Sequence, residues 1–341
     1  LRVYSIPMRT RFRGITRRDG VLMQGPVGWG EFSPFPEYGP GECARWLAAA
    51  REAAYAGWPA PLRDRIPVNA TVPAVDPERA HAIVRASGCR TAKVKVAERG
   101  QTDADDIARV EAVRDALGPA GKVRIDVNGA WNVDHAVRMI RELDQFDLEY
   151  AEQPCASLSE LAEVRRKVDV RIAADESIRR AEDPLKVRAA EAADVAVLKV
   201  QPLGGVRSAL RIAEACGLPV VVSSAVETSV GLAAGLALAA ALPELPFACG
   251  LATLSLLEGD VVADPLLPED GEIPVRRPEP DEAALARFEA GRFEIGAAER
   301  DDGGPGGIWR RRVADAHALM DGPPLSAPTG DAAGAETGGA R

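Results

Sequence analysis

The sequence predicts a parallel (β/α)8-type barrel preceded by a small α+β unit, and three observations lead there. Short β-branched runs recur through the middle of the chain and are nearly all apolar, as strands buried on both faces must be. Helical patterns with one apolar face lie between them. At or next to the ends of the runs fall Lys95, Asp126, Glu152, Asp175, Lys199, Ser223 and Gly250, at intervals of 31, 26, 23, 24, 24 and 27 residues, and one strand-plus-helix unit needs about this length. An open doubly wound sheet is the alternative. It usually has fewer strands and often a glycine-rich phosphate loop, and no GxGxxG follows a strand in this chain.

The first 64 residues read as an α+β unit. Arg2–Phe12 is strand-like, and Arg18-Asp19-Gly20 predicts a turn before Val21-Leu22-Met23. Gly28-Trp29-Gly30 and a proline-rich stretch over Ser33–Pro40 follow, then an alanine-rich helix over Glu42–Ala56. Thr10–Arg18, rich in arginine, is expected to be a loop that lids a site, with Trp29, Phe32 and Phe35 as apolar cap residues. From residue 65 the barrel strands are expected at Ile66–Val72, Ala92–Val96, Val123–Val127, Leu148–Glu152, Ile172–Asp175, Val195–Val200, Pro219–Ser223 and Phe247–Leu251. Helices are expected at Asp103–Leu117 behind a Thr102 or Asp103 cap, at Asp134–Leu143 and Ser159–Val168, and at Val206–Cys216 before Gly217. The apolar run Val230–Leu242 is too short for a bilayer and reads as a buried helix. Residues 321–341 are Pro, Gly, Ala and polar residues and are expected to form a disordered tail.

Composition narrows the function. The chain is 46% apolar and 27% charged, with 42 Lys and Arg against 51 Asp and Glu, a net charge of −9. That argues against a general nucleic-acid or anionic-membrane binder, which needs a basic surface, but leaves room for an anionic small molecule in a locally cationic cleft. The five cysteines are scattered, with no CxxC pair, and no secretory signal pattern opens the chain, so free thiols in a cytoplasmic protein are expected. Three histidines, His81, His135 and His317, are too few for a histidine-rich zinc site, and no GxSxG elbow supports a serine triad. No association surface stands out, and a monomer is expected.

A charge in a buried strand costs several kcal/mol unless paired, yet this chain places charges in successive strands. Alternation puts Lys93 and Lys95 on one face of their strand and Arg124, Asp126 and Asn128 on one face of the next. Glu152, Asp175 and Lys199 end the following three. In a barrel these residues point inward at the C-terminal rim, where such folds keep their chemistry. Asp126, Glu152 and Asp175 then form an all-oxygen set suited to a hard cation. Mg2+ fits best and Mn2+ is a possible substitute.

The motifs KVK (Lys93–Lys95), DVNGAW (Asp126–Trp131), EQP (Glu152–Pro154), DES (Asp175–Ser177) and the later Lys199 resemble those of the enolase superfamily, muconate-lactonizing-enzyme subgroup. The resemblance spans nearly everything except the tail. It implies a modified (β/α)7β barrel over 65–260 and a capping domain made of residues 1–64 with a returning segment, 261–320. It also implies that Asp126, Glu152 and Asp175 ligate Mg2+, that Lys95 and Lys199 flank the substrate, and that Lys93 supports them electrostatically. The stretch Val222–Leu232 and the stretch Cys249–Leu254 are most similar to the dehydratase branch, in which Ser223 and Gly250 would contact the succinyl carboxylate of the substrate, largely through backbone N–H groups. Arg124 matches that branch's arginine, and Asn128 is a further candidate substrate contact. Small Ala225 and Ala252 depart from some members, which carry serine and aspartate there.

The expected chemistry is removal of a proton α to a carboxylate, with the resulting charge held by the metal and a lysine. A lysine base with a metal-stabilised enediolate is also what the resemblance to the enolase superfamily implies. A lysine beside a second cation loses its proton more readily, which makes Lys95 the expected base. Syn elimination of water from a succinyl-hydroxycyclohexadiene carboxylate is the favoured reaction. Lysines on two faces also suit a racemase or epimerase, although the Lys-Pro-Gly expected for racemases is replaced by Lys199-Val200-Gln201-Pro202. A non-catalytic barrel would be expected to have lost a ligand or a lysine, and none is missing.

Overall fold

The computed structural model describes residues 1–178, 183–294 and 304–320. The N-terminal unit comprises β1 (Arg2–Phe12), β2 (Ile15–Gln24), β3 (Trp29–Phe32) and α1 (Pro40–Arg51). The alternating part follows as β4 (Arg65–Val72), α2 (Pro77–Ser87), β5 (Thr91–Lys95), α3 (Asp103–Leu117), β6 (Lys122–Asp126), α4 (Val133–Leu143), β7 (Leu148–Glu152) and α5 (Leu158–Arg165). It continues through β8 (Ile172–Ala174), α6 (Asp183–Ala189), β9 (Val195–Leu198), α7 (Val206–Cys216), β10 (Val220–Val222), α8 (Ser229–Ala241) and β11 (Cys249–Ala252). Then come β12 (Glu272–Pro274), α9 (Glu282–Ala286), β13 (Glu289–Arg292) and α10 (Pro305–Ala318).

Among the described residues eight strands run parallel in the order β10-β9-β8-β7-β6-β5-β4-β11. A parallel bridge between Ser223 and Gly250 joins the two ends, so the sheet closes on itself. Among the described residues seven helices connect the eight strands, which is the (β/α)7β arrangement. Helix stops agree with local chemistry: Thr102 accepts from the Asp105 N–H at the start of α3, and Gly217 takes the left-handed conformation after α7. Helix α8 is buried nearly all round because it lies between the barrel and β3.

The outer faces of the strands share the main core with the helices, whereas Tyr150, Ala173, Val195, Val197, Val221 and Phe247 form a separate apolar cluster. The fully buried Arg124 lies against that cluster, 4.7 Å over the Tyr150 ring and 5.8 Å from that of Phe247. Its guanidinium donates to Glu149 at 2.6 Å, to Asn69 Oδ1 at 3.1 Å and to the Ala248 carbonyl at 2.7 Å. Arg124→Ala leaves the partly buried Glu149 without its cation and the buried Asn69 Oδ1 and the Ala248 carbonyl without their donor. It is expected to lower stability by about 3–5 kcal/mol in a denaturant titration.

The second sheet is antiparallel, β13-β1-β2-β3. It carries α1 and α10: Phe32 of β3 meets Trp309 of α10 edge to face, and Phe35, in the segment after β3, meets Trp46 of α1 in the same way. The segment after the barrel therefore divides: β12 pairs with β4, and β13 and α10 join the N-terminal unit. The tail expected at 321–341 lies outside the described residues.

Two expectations for the N-terminal unit are corrected. Arg18-Asp19-Gly20 is no turn; it lies within β2, paired with Ile6, Ser5 and Tyr4. Glycine is needed there because a Cβ would stand 2.5 Å from Tyr4 Oη. The chain reverses instead at Arg13-Gly14, both at positive φ. Thr10–Arg18 is accordingly the end of a β-hairpin and not a loop.

Candidate active site

Each expected site residue except Arg124 falls at the same end of the barrel. Lys95, Asp126 and Glu152 are the last residues of β5, β6 and β7, and Asp175, Lys199 and Ser223 directly follow β8, β9 and β10. Strand register places Lys95 beside Asp126 and Asp126 beside Glu152. Strands β5 and β9 are four apart in a ring of eight, so Lys95 and Lys199 reach the mouth from opposite sides.

The three acids are buried, and lysines engage all of them. Lys93 Nζ lies 2.7 and 2.9 Å from the two Glu152 oxygens and 3.2 Å from Asp126 Oδ2. Lys95 Nζ lies 2.9 Å from the same Asp126 oxygen and donates to Asn128 Oδ1, and Lys199 donates to Asp175. Burial is the largest influence on Glu152; with repulsion from Asp126 and Asp175 it outweighs Lys93 and lifts the carboxyl to about 7. Burial also opposes the charge of Asp126, but Lys93 and Lys95 hold it well below the usual carboxylate range. Lys93 is raised well above its ordinary value: burial works against its charge, and Asp126 and Glu152 outweigh that.

The donor set fits a hard divalent ion in chemistry: three buried carboxylates, mutually repelling, with two of them within 3.2 Å of one common nitrogen. The side chains do not meet at one point. Among the described residues no three acidic, histidine or cysteine side chains are gathered closely enough to hold a metal as they stand. The carboxylates are drawn onto ammonium groups, and joint ligation requires them to turn from the lysines toward one another.

A cavity lies at this mouth. It is lined by Lys93, Lys95, Asp126, Asn128, Lys199, Ser223 and Gly250, together with Thr71, the loop 224–226 and Thr253. The hairpin end and the following segment supply Phe12, Arg13 and Phe35. Arg13 stacks on Phe35 at 4.4 Å, and the Phe12 ring stands 5.3 Å from Lys95 Nζ. Of the cap residues expected from sequence only Phe35 reaches the cavity, whereas Phe32 packs in the cap core. A larger neighbouring cavity, which includes Ala252, contains neither acid nor lysine.

Arg124 does not line the cavity: its position one layer deeper commits it to Glu149, Asn69 and the Ala248 carbonyl. The Ser223 N–H donates to the Leu198 carbonyl at 2.9 Å, which leaves the hydroxyl as this residue's means of contact. Gly250 allows the two strand ends to approach, since a Cβ there would stand 2.8 Å from Ser223 Oγ. Gly250→Ala is therefore expected to displace Ser223 and lower kcat/KM about 10²-fold, read by steady-state kinetics.

Supports for the site were less legible. Gln153, at φ 42°, accepts from the Asp175 N–H at 3.0 Å and donates to the Cys155 carbonyl at 3.0 Å, joining the ends of β7 and β8. Arg109 donates to the Lys95 carbonyl at 2.8 Å, and its partner Asp106 accepts from the Ala97 N–H at 2.7 Å. The only sequence signal for that pair is its charge on a helix face shared with Val110 and Val113.

Residues 76–280 match the family described as enolase C-terminal domain-like, and residues 3–54 match the enolase N-terminal domain-like family. The chain is 75% identical over 288 residues to the o-succinylbenzoate synthase of Thermobifida fusca (strain YX), covering 84% of this chain and 91% of that protein. It is 57% identical over 292 residues to the o-succinylbenzoate synthase of Mycolicibacterium smegmatis, covering 85% and 90%. The fold is similar to that of muconate lactonizing enzyme from Pseudomonas putida, with TM-score 0.72, 22% identity and coverage of 84% and 98%. It is also similar to the dipeptide epimerase from Enterococcus faecalis complexed with Mg and the dipeptide L-Leu-L-Tyr, with TM-score 0.70, 24% identity and coverage of 82% and 96%.

Proposed function

This chain belongs to the enolase superfamily, and from that membership and its likeness to o-succinylbenzoate synthases we propose how its residues catalyse that reaction. The reaction removes water from a succinyl-hydroxycyclohexadiene carboxylate and leaves o-succinylbenzoate, a step of menaquinone biosynthesis. The observation that carries the mechanism is one cavity lined by two lysines from opposite strands and by Asp126, with Glu152 and Asp175 buried at the adjacent strand ends.

Asp126, Glu152 and Asp175 would hold the magnesium ion. When bound, that ion draws electron density from the substrate carboxylate and acidifies its α-proton. Lys95, as the free amine, takes that proton. The C–H electron pair moves toward the carboxylate, where the Lys199 ammonium on the opposite side offsets the growing charge. The Lys95 ammonium then returns the proton to the ring hydroxyl on the same face as the C–O bond breaks, and water leaves. Aromatisation drives this second step. Lys93 stays charged and limits repulsion between Asp126 and Glu152. Asn128 accepts from Lys95 and so orients its amine. Phe12 and Phe35 keep water from the mouth, and Arg13 adds a cation for a dianionic substrate.

The test is to offer the purified chain the cyclohexadiene substrate with and without Mg2+ and follow ultraviolet absorbance. Aromatic product is expected only with the ion; its absence under both conditions overturns the reading. The facing lysines also permit proton return to a succinylamino acid. Rapid α-deuteration in D2O with loss of optical activity would reveal that activity. Among the described residues no helix is long and apolar enough to cross a membrane.

A further inference from the structure

The cap does more than cover the mouth. The loop from Ser223 to Val226 lines the cavity and leads into α8, and two buried charged groups of the cap hold it from opposite polarities. Arg18, within β2, donates through Nε to the Val226 carbonyl at 2.9 Å and through Nη2 to the Ala225 carbonyl at 3.1 Å. Its Nη2 also reaches Ser33 Oγ at 2.9 Å, and its plane lies 4.6 Å over Phe35, itself a cavity residue. Glu31, within β3, accepts the Thr228 and Gly231 N–H groups, each at 3.1 Å, and the Thr228 hydroxyl, all at the start of α8. Its other oxygen accepts Tyr4 and Ser33 hydroxyls at 2.7 Å.

Together these contacts grip the loop by its carbonyls on one side and its N–H groups on the other. The loop needs such a grip, because Val226 sits at φ 62°, a conformation costly for a β-branched residue. A second observation agrees. Gly231 has room for no side chain: a Cβ would stand 2.8 Å from Glu31 Oε2 and 2.7 Å from Glu227 Cβ. Local bonds complete the loop, with Glu227 accepting Ser224 Oγ at 2.6 Å and the Ala225 N–H at 2.7 Å.

We propose that Arg18 and Glu31 are positioning residues that set the substrate-arm end of the cavity by clamping the loop from Ser223 to Thr228 onto the cap. Neither lines the cavity; each acts through the loop. The inference rests on the dehydratase reading, in which Ser223, at the head of that loop, contacts the succinyl carboxylate of the substrate. Loosening the clamp therefore weakens recognition of the arm and spares recognition of the ring carboxylate.

The experiment compares inhibition of turnover and direct calorimetric binding, with Mg2+ present, for o-succinylbenzoate and for benzoate, which lacks the arm. Glu31→Gln and Arg18→Met are expected to weaken o-succinylbenzoate about tenfold or more with benzoate unchanged. Tyr4→Phe removes a Glu31 partner away from the loop and is the structural control; it is expected to lower Tm without changing the ratio of the two ligands. If Glu31→Gln does not fold, Arg18→Lys, which keeps the charge but lacks the fork that spans both carbonyls, carries the test. Unchanged affinity for o-succinylbenzoate, an equal loss for both ligands, or the same ratio shift in Tyr4→Phe overturns the clamp. A wild-type chain that neither turns over the substrate nor binds the product overturns the dehydratase reading instead.

Discussion

Lys95→Ala is expected to lower kcat about 10²–10⁴-fold, the range that a positioned general base contributes, while the folded protein survives. The fold should tolerate the change because Asp126 keeps Lys93 at 3.2 Å, so its carboxylate is not left without a cation. Lys93 also lines the cavity but is no local substitute, because both oxygens of Glu152 and one of Asp126 hold its ammonium. The informative comparison is with Lys199→Ala. Both variants should lose turnover, but only the Lys95 variant should lose exchange of the substrate α-proton with solvent altogether. Wild-type turnover in Lys95→Ala would remove it from the role of base. Retained exchange would move the role to Lys199.

The second large effect is on the acids. Chelation is expected to abolish turnover and added Mg2+ to restore it, and Glu152→Gln should block restoration, lowering kcat/KM by about 10³-fold or more. Affinity for Mg2+ should rise with pH from about 5 to 7. Glu152, held at about 7 by burial and by its acidic neighbours, must give up its proton before it ligates, so the protonated form at lower pH competes with the ion. The calorimetric signature is proton release on binding that diminishes above pH 7 and is smaller in Glu152→Gln. A flat affinity across that range, or restoration of the variant by Mg2+, would remove Glu152 from the ligand set.

The barrel was legible because its signal is repetitive. Nearly all-apolar runs recurring every 23 to 31 residues leave few architectures, and the helices Asp103–Leu117 and Val206–Cys216 were recovered with their ends. Acids and lysines at strand ends were legible for the same reason: an expensive charge in an apolar run stands out. The N-terminal unit was harder. Arg18-Asp19-Gly20 has turn composition, yet it lies mid-strand because Gly20 makes room for Tyr4 and because Arg18 finds carbonyl partners some 200 residues away.

What the sequence determined by itself is which side chains arrive at the C-terminal rim, since alternation along a strand and the spacing of units are local properties. What tertiary structure decided is the partner each one takes. Arg124 shares a strand face with Asp126 but is claimed by Glu149 and Asn69, the carboxylates lean onto lysines, and Arg18 and Glu31 reach across to a loop of the barrel. Pair energies depend on distance and burial between residues far apart in the chain, and periodicity carries no record of either.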